Sequence, residues 1–252
     1  MSLTYKKCPN CGYEPPAGSP LLAGECPNCG VIFEKWLRRR LRPPAVNDSS
    51  PRTRSEIPGW VLGDDQPVDP WLFWARVALY LSFLIWGIWF LLLDYKELDL
   101  GLPAINRSFL HGVNLVFHEA GHVLFRPFGD FLAVLGGSLG QLIIPAIAMM
   151  AFLRQQDPFA ASLGLWWFGQ NMLDLAPYVY DARAGRMILL GGVTGSDAPG
   201  YHDWGNLLGH LDALHLDHRL AFAVYLAGGV CMVVAFSWGA TVLWRQREAR
   251  LR

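Results

Sequence analysis

The chain has no surplus of charge of either sign. Lys and Arg number 21, Asp and Glu also number 21, and charged residues make up only 17% of the 252. With no net basic field to attract it over distance, a nucleic-acid partner is disfavoured. So little charge also excludes a disordered chain, which stays unfolded by being highly charged and poorly hydrophobic. What is present instead is apolar: 52% hydrophobic residues and 11 Trp are too many for an ordinary soluble domain. Residues 1–70 are polar and rich in Pro and Gly, whereas most of the hydrophobicity lies between Trp71 and Trp244. The composition reads as an all-α polytopic membrane protein with a small soluble head.

Cysteine is scarce as well, and four of the five fall in two identical runs. Cys8-Pro9-Asn10-Cys11-Gly12 is repeated as Cys26-Pro27-Asn28-Cys29-Gly30. Each run is a knuckle that aims two thiolates at one point, and two knuckles close a tetrahedral four-cysteine zinc site. This defines a zinc ribbon over residues 1–35. A disulfide inside so tight a turn would be strained, and no βαβ pattern follows that would make the pairs redox motifs. A ribbon this small cannot bury enough core to fold alone, so its zinc is structural. Zinc thiolates persist in a reducing compartment, which places the head on the cytosolic side. The fifth cysteine, Cys231, reads as a small core residue.

Residues 36–70 form a basic segment (Lys35 just before it, then Arg38, Arg39, Arg40 and Arg42) and a Pro- and Ser-rich flexible linker. The membrane part, residues 71–244, offers five candidate spans: Trp71–Leu93, Ser108–Phe125, Phe131–Leu153, Phe159–Tyr180 and Leu220–Trp244. Because the polar ribbon precedes the first span, that span is read as internal rather than as a cleaved leader. The balance of Lys and Arg favours a cytosolic N-terminus, although five spans then put the basic tail, residues 245–252, outside. Either Met187–Val193 re-enters the membrane or one of the five stretches does not cross it.

Chemistry enters with the second span. His118-Glu119-Ala120-Gly121-His122 is an H-E-x-x-H pattern, in which imidazoles four residues apart share a helix face and can bind one zinc ion while Glu119 reaches a metal-activated water. His111 and Asn114 extend the same polar stripe, and His111 alone reads as a helix-packing residue. A catalytic zinc needs a third protein ligand, for which Asp174, Asp181 and the His202-Asp203 pair are candidates. Depth favours Asp174. At 1.5 Å per residue it lies roughly 9 Å above the cytosolic end of its span, between His118 and His122 at roughly 12 and 6 Å. Asp181 would lie at the surface, beyond a kink at Pro177. Asn171, one turn before Asp174, could bind the substrate backbone or an oxyanion, or simply pack a helix.

These residues resemble the site-2-protease-like intramembrane zinc metalloproteases. The resemblance covers roughly Ser108 to Asp181 and rests on the membrane-embedded H-E-x-x-H, on Gly136-Gly137-Ser138-Leu139-Gly140 in the next span, and on an Asn-then-Asp element later. It implies His118 and His122 as zinc ligands, Glu119 as general base, and cleavage of peptide bonds in membrane-associated proteins. The family's Leu-Asp-Gly is only half kept: Leu173-Asp174-Leu175 lacks the Gly, and Tyr180-Asp181-Ala182 lacks both flanks. The three glycines allow either close helix approach or a flexible re-entrant strand.

Residues 200–220 carry four histidines, His202, His210, His215 and His218, among leucines at helical spacing, and read as one amphipathic surface helix. A second metal site or a pH-sensitive gate is the sharper alternative. The expected cofactors are therefore two zinc ions, one catalytic and one structural. The expected partners are the lipid bilayer, a membrane-protein substrate and a cytosolic protein docking on the ribbon. Two other functions share the same residues: a zinc-ribbon adaptor without proteolytic activity, and a metal transporter or sensor.

Overall fold

A computed structural model describes residues 7–15, 24–33, 35–36, 59–63, 68–198 and 200–251. The chain divides into two compact units, residues 1–54 and 55–252. Most of the basic segment and linker lies outside the described residues.

In the first unit each knuckle closes in the same way. The Gly12 N–H donates to Cys8 O and the Cys8 N–H to Tyr13 O; in the second knuckle Gly30 donates to Cys26 O and Cys26 to Val31 O. Both glycines are left-handed, at φ 74° and 68°, which is why Gly follows the second cysteine of each pair. Among the described residues of this unit, Phe33 packs against Cys8 and Cys26 with Tyr13 and Val31 at the margin, a small core.

The second unit is helical: α1 (Pro70–Leu92), α2 (Phe109–Phe125), α3 (Asp130–Arg154), α4 (Pro158–Tyr180), α5 (Asp203–His210) and α6 (Asp217–Leu251). Between α1 and α2 a two-stranded antiparallel hairpin, β1 (Leu98–Asp99) and β2 (Leu102–Pro103), leads into a 3-10 turn at Ala104–Arg107. Pro158 at its first position and an Asp157 side chain accepting from the Ala160 N–H start α4. Arg76 reaches across from α1 to the same Asp157 at 2.9 Å.

Among the described residues, three helical stretches are long and apolar enough to cross a membrane: Pro70–Leu92, Asp130–Arg154 and Leu214–Leu251. Their outward faces carry large apolar side chains such as Trp71, Ile85, Ile147 and Val230, as a lipid-facing surface does. The expected five spans are thus not borne out. The second and fourth segments do form helices α2 and α4, but the polar residues that make them interesting also lower their hydropathy. Helix α4 packs against α3 and α6, with Trp166, Leu173, Ala176 and Val179 buried, so its surroundings are protein.

Close approach of α2 to α3 is set by glycine. A Cβ on Gly121 would overlap the Gly136 carbonyl, and one on Gly140 would overlap the Phe117 carbonyl. Gly136, Gly137 and Gly140 are all helical, so of the two readings for this run it is close helix packing that the fold uses. Helix α4 continues through Pro177 to Tyr180. Asp181 caps it and is 3% exposed, not at the surface as expected, because the chain from Ala182 to His202 folds back over it. That connection includes a turn in which Ile188 bridges Thr194 and donates its N–H to Gly101 O at 3.0 Å. Residues 200–220 are not one helix: α5 ends at His210, Asp212 is left-handed at φ 54°, and a 3-10 turn at Leu214–Leu216 leads into α6.

Candidate metal centre

Helix α2 is capped by Ser108, whose side chain accepts from the His111 N–H, and its 3.6-residue repeat lines up His111, Asn114, His118 and His122. In both His118 and His122 the ring orientation is fixed from behind. His122 Nδ1 lies 2.8 Å from the Ala133 carbonyl oxygen. A carbonyl only accepts, so His122 carries its proton on Nδ1. His118 Nδ1 donates in the same way to Gln141 Oε1 at 3.0 Å. The lone pairs of both Nε2 atoms therefore face forward, and Gly137 leaves the room for them: a Cβ there would come within 2.5 Å of His118 Nε2 and 2.6 Å of His122 Nε2.

What they face is Asp203, the first residue of α5. Its Oδ2 lies 2.9 Å from His118 Nε2 and 3.2 Å from His122 Nε2. Two imidazole lone pairs and a carboxylate oxygen thus converge, an arrangement that repels itself unless a proton or a metal cation sits among them. Ligands at 2.0–2.1 Å from a tetrahedral ion are about 3.3 Å apart, close to the spacing observed. Ligating atoms of His118, Glu119 and His122 also lie within 4.8 Å of one another, so these three side chains could hold a metal ion.

Asp174 is placed elsewhere. Its carboxylate accepts from Asn106 Nδ2 at 2.9 Å and Asn114 Nδ2 at 3.1 Å, and both oxygens lie 3.1 Å from His111 Nδ1. Asp174, expected to complete the His118 and His122 set, pairs here with His111, two helical turns from His118, and is supplied with donors. Asn114 in turn donates to Gln170 and accepts from the Trp167 indole. Asn171 is fully buried, donates to the Trp167 carbonyl, and is not among the residues lining the cavity described below. Asp181 accepts from the backbone N–H groups of Arg186 and Met187, and His202 caps α5. His210 packs on Phe131 and His218 stacks on Tyr180, and among the described residues no group of three possible metal ligands includes His202, His210, His215 or His218.

Both polar groups open on one cavity of about 230 Å³, lined by His118, Glu119, His122 and Asp203, by His111 and Asp174, and by apolar side chains of the Met187–Leu190 turn. Comparison with family models, curated proteins and solved structures finds no match. The site's chemistry therefore has to be read from its own geometry. Among its residues, Gln141 and Tyr178 were not anticipated. Gln141 left a trace, being a lone amide in an otherwise apolar stretch of α3; Tyr178 left none.

In the ribbon the Sγ atoms of Cys8 and Cys29 are 3.8 Å apart, as are those of Cys11 and Cys26. That is far beyond a disulfide and matches the edge of a tetrahedron of thiolates about 2.3 Å from an ion. Asn10 donates to Cys29 and Asn28 to Cys11, each at 3.6 Å, so each knuckle supports a thiol of the other. Hydrogen bonds from the Tyr13 backbone and the Asn28 amide lower the Cys11 thiol to about 6. The four cysteines could hold a metal ion.

Proposed function

We propose that the protein is an intramembrane zinc metalloprotease that hydrolyses peptide bonds of membrane-associated polypeptides, with His118, His122 and Asp203 as zinc ligands and Glu119 as general base. The observation that carries this reading is the convergence of two Nδ1-protonated imidazoles and the Asp203 carboxylate beside Glu119, in a cavity within an apolar helical unit. Zinc, when bound, supplies a Lewis acid that brings a water close to neutrality in pKa and polarises a carbonyl. Glu119 then takes the proton from the attacking water and passes it to the leaving amine. Gln141 and the Ala133 carbonyl keep both imidazoles in the ligating tautomer, and Gly137 keeps the approach to them clear. Apolar walls from Leu102, Leu115 and Met187–Leu190 exclude bulk water and accept an unwound stretch of a hydrophobic segment. The ribbon holds a second, structural zinc on the cytosolic side, where it can dock a protein partner.

Replacing Glu119 tests the reading, because it removes the base and keeps the ligands. In membranes carrying Glu119→Gln, a membrane substrate accumulates uncleaved while zinc content stays at that of the wild type. If Glu119→Gln is indistinguishable from wild type while His118→Ala abolishes function, the centre serves metal transport, sensing or structure, and proteolysis is the wrong reading.

A further inference from the structure

Asp203 is separated from His118 by 85 residues and stands at the first position of an eight-residue helix, so something must hold it over the two imidazoles. Three side chains meet behind it. The Asp203 backbone N–H donates to the Tyr178 hydroxyl at 2.8 Å. The neighbouring His202 accepts the Gly205 N–H on Nδ1 at 3.1 Å, which caps α5 and puts its proton on Nε2. That Nε2 is buried, faces Asp181 Oδ2 at 3.6 Å, and has no hydrogen-bond partner among the described residues. The Asp181 carboxylate is anchored in turn by the N–H groups of Arg186 and Met187, at 3.0 and 2.7 Å. The Tyr178 ring lies against His202 with centroids 4.4 Å apart. All three groups are built on the end of α4 and the residue before α5, and His202 and Asp181 are 5% and 3% exposed.

We propose that Tyr178, Asp181 and His202 are positioning residues of the metal centre: they pin the start of α5 to the end of α4 and so set where the Asp203 carboxylate stands. The proposal rests on reading His118, His122 and Asp203 as metal ligands, and not on the reaction. In the present arrangement neither His202 nor Asp181 presents a free ligand atom to that ion. His202 spends Nδ1 on Gly205 and turns Nε2 to Asp181, and the Asp181 oxygens are spent on backbone N–H groups. Their effect is on how much of the binding free energy goes into ordering Asp203. Outer-shell groups of this kind typically change metal affinity by roughly 10- to 100-fold.

The test is a chelator titration of the full-length chain in detergent micelles, counting zinc per chain, with the four-cysteine ribbon as the reference within the same molecule. Tyr178→Phe keeps the ring against His202 and loses only the hydroxyl. His202→Asn keeps a side chain able to cap α5 and loses the ring and its contact with Asp181. Each is expected to release the membrane-domain zinc at roughly 10- to 100-fold lower chelator concentration, with ribbon zinc unmoved and with Asp203→Asn as the limit. Tyr178→Phe should leave the unfolding temperature of the zinc-free chain unchanged, which separates positioning from general support of the fold. Titrations that superimpose on wild type, when Asp203→Asn has lost the ion, overturn the proposal. So does a drop in unfolding temperature with affinity retained. A wild-type chain that holds only the ribbon ion, unchanged by His118→Ala, overturns the metal reading itself and takes this proposal with it.

Discussion

Two buried aspartates separate by what surrounds them. Asp174 is surrounded by donors: two amide groups and an imidazole nitrogen at 2.9–3.1 Å, which together satisfy its charge without any ion. Asp203 shares its oxygen with two nitrogen lone pairs, the opposite condition. Asp174→Asn should accordingly act on stability and not on metal. Its amide turns a contact with Asn106, Asn114 or His111 into a donor facing a donor, at a cost of about 1–3 kcal/mol. Thermal unfolding should show that loss with zinc content unchanged. The pair His118 and His122 was legible in the sequence because residues four apart share a helix face. The third carboxylate was legible only as one of several candidates, because contact across a cavity leaves no period in the chain. The depth argument that favoured Asp174 compared heights along two helices and had no information on which side chains of α4 faced α2 at which turn.

Among the elements, α2 and α3 show how tightly the centre depends on backbone approach. Gly137 is the clearest case, since an added methyl would occupy the space in front of both Nε2 atoms. Gly137→Ala is predicted to keep the helical far-ultraviolet spectrum of the chain and the ribbon's zinc, and to lose the membrane-domain zinc, as counted by metal analysis. Helix existence was well read from hydropathy, with α1, α3 and the core of α6 near their expected bounds. The break inside residues 200–220 was not, because it rests on a left-handed Asp212, a conformation that Asp tolerates but does not announce. The two-residue strands before α2 are likewise too short to carry an alternating pattern.

At the scale of the molecule the two units differ in what keeps them folded. Among its described residues the ribbon has one small cluster around Phe33 and four thiols, whereas the helical unit has extensive apolar clusters, one of them around Trp166, Leu173 and Met232. Replacing Cys8, Cys11, Cys26 and Cys29 together by Ser should therefore unfold only the first unit. Limited proteolysis should remove the N-terminal residues of that variant and leave a helical core that still binds one zinc ion per chain. The repeated knuckle made the ribbon the most legible part of the sequence, while the count of spans was the least. Five apolar stretches were counted as spans, yet two of them are lined with the groups that build the cavity.

The 85-residue separation of His118 from Asp203 also orders events in time. A ribosome adds roughly 5–20 residues per second, so both histidines are in place about 4–17 s before the aspartate that completes their set exists. During that interval the helices from α1 to α4 can enter the bilayer with an imidazole pair that lacks its anionic partner. On the proposed ligand set, a chain that stops short of α5 carries the two histidines without their carboxylate, and Asp203 is the last of the three ligands to be synthesised.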